Sequence, residues 1–509
     1  MRLFVGFVCS LALAFLGCSE SGPGGGGGVG GDGAGGTGGA TGGGGCCGGG
    51  GIASPLLPGE TVTISGDSPF AECTDDAEPG SLYTLDSEVE PWLVVDPTDP
   101  QHFVATWQQD RYFADGGCRG QLVGVSFDGG VSWASVTVPG ITLCGEGEWV
   151  RMTDPWLAFA SNGDLYASAL GIRDLAFGGA ILVSKSTDGG LTWGDPTILE
   201  EPGMDYYTDK DSITADTADE CVVYAAWSRF DLVNGGGSAL FSRTTNCGET
   251  WTEPSVIRTE TPSPMGLQIV AIPDGSLRAF WVGWSGGEDW ESQFDLSVQS
   301  SADQGDTWSD PVLIARVRRD PGYSPDAPTR LRGGERFFDV AVDRGSGDLY
   351  AVWEQIFAEA DRPIQVAFSA SSDGGATWSM PSRIDQTPAS DVIELEQVFL
   401  PSVHVSDDGT LGVTYYNLQN DTPGELPTQT DAWFISCRPG ASDCGRRVAW
   451  SAQARLTTSS FDFSQAPTTT RGLFIGDYAG LTSHGTDFFA AFSVTAEGDP
   501  ANVVFVPIR

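Results

Sequence analysis

The 509-residue chain carries 68 acidic against 26 basic side chains, a formal net charge of −42. A field of that sign repels nucleic acid and anionic membrane surfaces, so neither is expected as a partner. The acidity reads as a solvated surface suited to an exported protein. Acidic loops could hold Ca²⁺, although no EF-hand ligand spacing occurs, and no other cofactor is expected.

The first elements in chain order concern export. Arg2 supplies a positive start, and residues 3 to 16 form a mostly apolar core too short for a comfortable transmembrane helix. Phe15-Leu16-Gly17-Cys18 follows, and a small residue before a cysteine at that place resembles the lipobox of bacterial lipoproteins. The resemblance implies a lipoprotein signal peptide over residues 1–18, with lipid attached at Cys18. The alternative is an ordinary cleaved signal. Ser19, where an Asp would retain the protein, implies delivery to the outer membrane or cell surface. Residues 19–53 are glycine-rich and cannot bury a core. They read as a flexible tether of r.m.s. reach near ~30 Å.

From residue 54 onward one eight-residue pattern recurs. Ser126, Asp128, Gly130, Ser132 and Trp133 make the first copy, and Ser186, Asp188, Gly190, Thr192 and Trp193 the second. The third is Thr244, Asn246, Gly248, Thr250 and Trp251, with Asn for Asp. Ser301, Asp303, Gly305, Thr307 and Trp308 make the fourth, and Ser371, Asp373, Gly375, Thr377 and Trp378 the fifth. Asp and Ser side chains fix a turn through nearby amides, Gly takes a conformation other residues resist, and Trp anchors the hairpin. The pattern resembles the Asp-box, or BNR repeat, of sialidase-like propellers. It is a structural device rather than a catalytic one.

Each copy sits in a unit of four short strands. The second unit shows it: residues 156–159, a turn at Asn162, Gly163 and Asp164, residues 165–168, residues 181–184, the box, then residues 196–199. Alternation with these turn residues predicts antiparallel strands, and the repeat length predicts propeller blades. Inner strands beginning near Trp92, Trp156, Ile213, Leu267, Phe337, Leu400 and Phe474 predict an all-β, seven-bladed β-propeller over residues 54–509. A six-bladed sialidase-type ring is the alternative. The last unit has three strands, and Thr61 to Ile64 is expected to supply its missing outer strand and remove an open edge.

Strand direction sorts the connections. The boxes share one face, while the longer loops share the other, where a ligand is expected. Of the eleven cysteines, Cys221 with Cys247 and Cys437 with Cys444 are positioned to pair on the box face. On the loop face Cys118 with Cys144 is the preferred pair, and Cys73 is a rival partner for either. Cys46 and Cys47 lie in the tether. No C-x-x-C occurs, so no metal site is expected.

Glu90-Pro91-Trp92, Asp154-Pro155-Trp156, Asp209-Lys210-Asp211 and Gly476-Asp477-Tyr478 also resemble strand starts of bacterial sialidase-like proteins, and the likeness extends over roughly residues 60–509. That resemblance implies a three-arginine carboxylate clamp, a tyrosine–glutamate nucleophile and an aspartate acid/base. Here Glu90-Pro91-Trp92 stands where the family carries an Arg-Ile-Pro element, so one clamp arginine is missing.

Asp154, Asp211 and Asp477 are candidate acid/base groups, and Tyr206 and Tyr207 candidate nucleophiles or sugar contacts. Arg316, Arg318, Arg319, Arg330, Arg332 and Arg336 cluster in the loop before the fifth unit. Guanidinium groups suit bidentate carboxylate recognition. Arg330, Arg332 and Arg336, with Arg111 and Arg229, are candidate ligand-binding residues, and pairing with the protein's own acidic loops is the bland alternative. Trp107, Trp227, Trp284 and Trp353 end second strands and offer either sugar-stacking faces or core. His102, His404 and His484 show no metal spacing. The expected function is a monomeric surface lipoprotein that binds a glycan or protein through its loop face. An exo-sialidase-type glycoside hydrolase acting on acidic sugars is the alternative.

Overall fold

Short runs of Val, Ile, Phe and Trp between turn residues form strand after strand. In one sheet, Tyr206–Ala215 pairs antiparallel with Val223–Asp231, which pairs with Gly237–Thr244, which pairs with Ser255–Glu260. The same four-strand order recurs along the chain of this computed structural model. It describes residues 56–74, 82–113, 116–174, 177–260, 262–284, 293–318, 322–323, 330–332, 338–357, 363–424 and 426–509. By internal contacts the chain divides into Met1–Ser54 and Pro55–Arg509, and only the second unit falls among these residues. The signal, the tether, Cys18, Cys46 and Cys47 lie outside them.

The protein is an all-β propeller, but the expectation of seven separate blades, or of six, is corrected. Five blade sheets are present among the described residues. One spans Tyr206–Glu260, one Ser263–Arg318, one Phe338–Arg383 and one Val398–Arg455, and the fifth is a continuous twelve-stranded sheet. The strand groups expected as the last, first and second blades are joined in that large sheet. Parallel pairing of Ser87 with Ala501 and antiparallel pairing of Cys118 with Met152 make the joins. Strand patterning gives the groups; single bridges between groups decide how many sheets result. A smaller four-stranded sheet brings Gly322–Tyr323 and Arg330–Arg332 beside Gly472–Phe474 and Thr468–Thr469.

The early segment attaches as expected from the sequence. Val62 and Thr63 pair with Phe505 and Val504 of Asp499–Ile508, and the amides of Leu57, Gly59 and Ile64 bond the same strand. Side chains on this outer edge, Ile64 and Phe70 among them, are buried with Phe103, Phe489 and Phe505.

The five repeated turns are built alike. In the first, Asp128 Oδ1 accepts from Ser132 N at 2.9 Å and Oδ2 from Ser132 Oγ at 2.6 Å, while Gly130 N donates to Ser126 Oγ at 3.0 Å. Asp188, Asp303 and Asp373 each accept from the matching Thr N at 2.9 Å, and Asn246 does so at 3.0 Å. The hydrogen bond from Ser132 Oγ is the first reason that the Asp128 carboxyl is held down at about 2. Every carboxylate oxygen here serves the turn, which leaves none for chemistry.

Trp107, Trp227 and Trp353 are fully buried between sheets, so they are core and not sugar-stacking faces. The Trp284 side chain lies outside the described residues. Disulfides join Cys221 to Cys247, Cys437 to Cys444 and Cys73 to Cys144. The preferred pairing of Cys118 with Cys144 is therefore corrected. Cys118 is a free thiol buried beside Met152, in the strand that fuses two strand groups, while Cys73 on the edge segment reaches Cys144.

Candidate functional site

The first strands of successive groups share one irregularity. Their registers shift between Val89 and Trp92, Thr153 and Trp156, Asp209 and Ser212, Met265 and Gln268, and Phe399 and Ser402. At each shift one residue takes a left-handed backbone: Glu90 at φ 55°, Asp154 at 55°, Lys210 at 52°, Gly266 at 69° and Leu400 at 52°. Bulges bend a strand and re-aim its side chains, and left-handed non-glycine residues are costly enough to mark sites that the surroundings hold in place. Here three of the bulges bring Glu90, Asp154 and Lys210 together, and the segment leading into Gly480–His484 adds Asp477.

Lys210 is the hub. Its Nζ donates to Asp154 Oδ1 at 2.9 Å and Asp477 Oδ2 at 2.8 Å, and lies 3.5 Å from Glu90 Oε1. Its amide also donates to Asp154 Oδ2 at 3.0 Å. Arg332 Nη2 donates to the same Asp477 oxygen at 2.9 Å, and Asp477 N to Glu90 Oε1 at 3.2 Å. The guanidinium groups of Arg332 and Arg111 lie 4.1 and 4.6 Å from the Phe474 ring centroid. Arg111 Nη1 bonds Gln108, which in turn bonds Glu90 and Thr153.

Burial and neighbouring charge split the carboxyls. Burial pushes Glu90 up to about 7, with Asp154 and Asp477 adding to the rise against Lys210. Asp209, half-buried at the rim, is likewise pushed to about 7 by burial first and by Asp154 next. Burial works on Asp477 in the same direction, but Arg332 and Lys210 outweigh it and hold that carboxyl far below the ordinary range. Lys210 stays charged because Asp154, Asp477, Glu90 and Asp209 together outweigh the cost of its burial. Such a division between protonated and ionised carboxyls is one that proton-transfer sites use.

Beside the hub a narrow recess opens between Trp92, Trp156, Phe338, Tyr478, Asp339 and Asp477, with Gln268, Leu400, Pro401 and Ser402 completing the wall. Trp92 and Trp156 stack at 3.7 Å, and Tyr478 stands edge-on to them at 6.1 and 5.1 Å. Tyr478 OH donates to Pro155 O at 2.9 Å, which fixes its ring. Asp477 Oδ1 is buried without a hydrogen-bond partner among the described residues.

Of the residues expected from sequence, Asp154, Asp477 and Arg332 meet at the hub and Arg111 adjoins it. Asp211 is buried nearby beside Ser168, and burial followed by Asp154 raises its carboxyl far above the ordinary range. Tyr206 and Arg229 lie apart from the hub. Arg229 stacks on Tyr206 at 5.0 Å and pairs with Glu200 at 2.6 Å. Tyr207 stacks on Phe230, and its phenol is raised first by Asp209 and then by burial, the opposite of nucleophile activation. Arg336 and the Arg330 side chain lie outside the described residues; exposed Arg316 sits 3.6 Å from Asp295. Lys210, Glu90, Asp209 and the Trp92–Trp156 wall were not singled out as candidates. Their signal is the Glu-Pro-Trp, Asp-Pro-Trp and Asp-Lys-Asp series at equivalent strand starts. Among the described residues no group of three or more His, Cys, Asp or Glu is placed to hold a metal ion, and no helix is long and apolar enough to cross a membrane.

These features define an all-β propeller with an ion-paired carboxylate cluster where two of its sheets meet. No protein-family model matches the chain, and no curated protein does. Among solved structures, a Hadza microbial sialidase is similar over 78% of this chain and 73% of its own, at 15% identity and a TM-score of 0.44. The α-L-arabinofuranosidase of Fusarium graminearum is similar over 70% and 92%, at 14% identity and 0.42. A leech intramolecular trans-sialidase is similar over 67% and 66%, at 12% identity and 0.43. The likeness is one of fold.

Proposed function

We propose that this chain is a surface lipoprotein whose propeller binds a glycan at its axis, with Cys18 carrying the lipid and residues 19–53 forming the tether to the outer membrane or cell surface. The observation that carries the binding reading is the recess, where aromatic walls from Trp92, Trp156 and Tyr478 stand beside Asp477 Oδ1, a buried acceptor with no partner among the described residues. An apolar concavity with a few converging polar groups is how carbohydrate and other small ligands are generally held. A glycan array probed with the full chain and with Trp92→Ala tests it. Binding that the substitution removes supports the reading, and a blank array sinks it.

A second reading, glycoside hydrolysis, is favoured by one observation. Asp209 and Asp477 share the cluster around Lys210 with opposite tendencies, burial raising the first carboxyl to about 7 while Arg332 and Lys210 hold the second ionised, which suits an acid and an anionic partner. An exo-sialidase is the less favoured form of this reading, because Arg332 and Arg229 already pair with carboxylates of the protein. Release of fluorophore from a panel of neutral and acidic glycosides, lost in Asp209→Asn, is the outcome that establishes it.

A further inference from the structure

We propose that the group received by the axial recess is a primary amine, so that the glycan is an amino sugar with an unacetylated nitrogen. The inference rests on the glycan-binding reading above. Four aromatic side chains, Trp92, Trp156, Phe338 and Tyr478, and two carboxyl groups, Asp339 and Asp477, line the recess, and among the described residues no lysine or arginine lines it. Aromatic faces carry negative charge density and attract an ammonium, and a carboxylate accepts its N–H in a charge-assisted bond.

The protein's own ammonium already shows the preference, since Lys210 Nζ lies 5.9 Å from the Tyr478 ring centroid. Lys210 and Arg332 both engage Asp477 through Oδ2. Among the described residues Oδ1 remains a buried acceptor without a donor, a costly state that an entering N–H group relieves. On the far wall, Asp339 accepts from Ser402 Oγ at 2.7 Å, Val403 N at 2.8 Å and Val340 N at 2.9 Å, and forms no ion pair among the described residues. A carboxylate ligand would face these two acidic groups and the aromatic faces, while Lys210 and Arg332 are already committed to Asp477 Oδ2. The net charge of −42 adds a long-range attraction for cations.

The test is calorimetric binding of methyl β-glucosaminide, its N-acetyl form and methyl β-glucoside to the full chain. Ligands with a single amine limit non-specific attraction to the acidic surface. The amine is expected to bind about tenfold more tightly than either neutral ligand. The advantage should shrink as pH rises through the amine's own pKa. Trp92→Ala should abolish it, and Trp92→Phe, which keeps an aromatic wall, should largely retain it. Circular dichroism checks the fold of both variants, and if Trp92→Ala fails to fold, the comparison of the three ligands on the unsubstituted chain decides. Equal or tighter binding of a neutral ligand overturns the amine and leaves glycan binding standing. Amine binding that a folded Trp92→Ala variant leaves unchanged also overturns the amine, because it places the contact on the surface. Absence of binding by all three, together with a blank glycan array, removes the glycan reading itself.

Discussion

Lys210 Nζ donates to Asp477 Oδ2 at 2.8 Å, joining residues 267 positions apart. Lys210 belongs to the Tyr206–Glu260 sheet, whereas Asp154, Asp477 and Glu90 are held by the large fused sheet or the loop leading into it. One ammonium therefore pins two sheets together at the axis, and it does so in a largely buried setting.

Lys210→Met tests that pin. Removing one partner of a buried ion pair leaves the others uncompensated, at a cost of about 3–5 kcal/mol. A corresponding drop in the urea unfolding midpoint is expected. Adding Asp154→Asn and Asp477→Asn should recover part of the loss, since the stranded charges go with them. A single variant as stable as the parent would mean that the hub contributes nothing to the ring.

How much of this was readable beforehand follows from distance along the chain. The repeated turns have all their determinants within eight residues, so Asp128 and Ser132 announce the hairpin by themselves. Asp154 and Asp477 were readable as candidates because they start equivalent strands. Lys210 sits in the same series, but its role depends on which residues the closed ring sets opposite it. Arg332 and Arg229 looked alike as sequence, and only the fold assigns one to the axis and the other to Glu200. The sheet count turned on Ser87 meeting Ala501 and Cys118 meeting Met152, single pairings that leave no periodic trace.

Stability should vary with pH in a defined sense. Burial raises Glu88 from 4.5 to about 8 and Glu90 to about 7, so the folded state holds protons that the unfolded chain releases. Their contribution is fully present below about 4.5 and is lost as pH rises towards 7 and 8. Asp477 acts oppositely: its carboxyl is depressed, so its contribution is present above its ordinary value and is lost on acidification below it. A maximum at about pH 4 is expected in a plot of Tm against pH, with a decline from about 4.5 towards 8. Glu88→Gln should leave the acid limb unchanged and flatten the alkaline one. An alkaline limb of unaltered slope would remove Glu88 from the account.

The disulfide assignment makes a chemical prediction. Cys73 and Cys144 are 71 residues apart, and a link of that span restrains the unfolded chain by about 4 kcal/mol in the chain-entropy picture. The double substitution Cys73→Ala with Cys144→Ala should lower stability by a similar amount. Non-reducing peptide mapping should recover Cys73 joined to Cys144 and Cys118 as a thiol alkylated only after unfolding. Recovery of Cys118 joined to Cys144 would reverse the pairing.

Two glycines separate backbone strain from crowding. Gly275 has φ +84° and open space where a Cβ would project, whereas Gly305 has φ +94° and would place that atom 2.4 Å from the Phe241 ring. Gly275→Ala should therefore cost only the left-handed penalty, about 1 kcal/mol. Gly305→Ala adds a collision inside a core shared by Phe241, Ala239 and Leu277. Overpacking of this kind brings the total to about 3 kcal/mol. The difference isolates the packing part of the repeated turn, because both residues share the same backbone region. Equal losses in the two variants would show that conformation alone sets the choice of glycine and that the Phe241 ring yields freely.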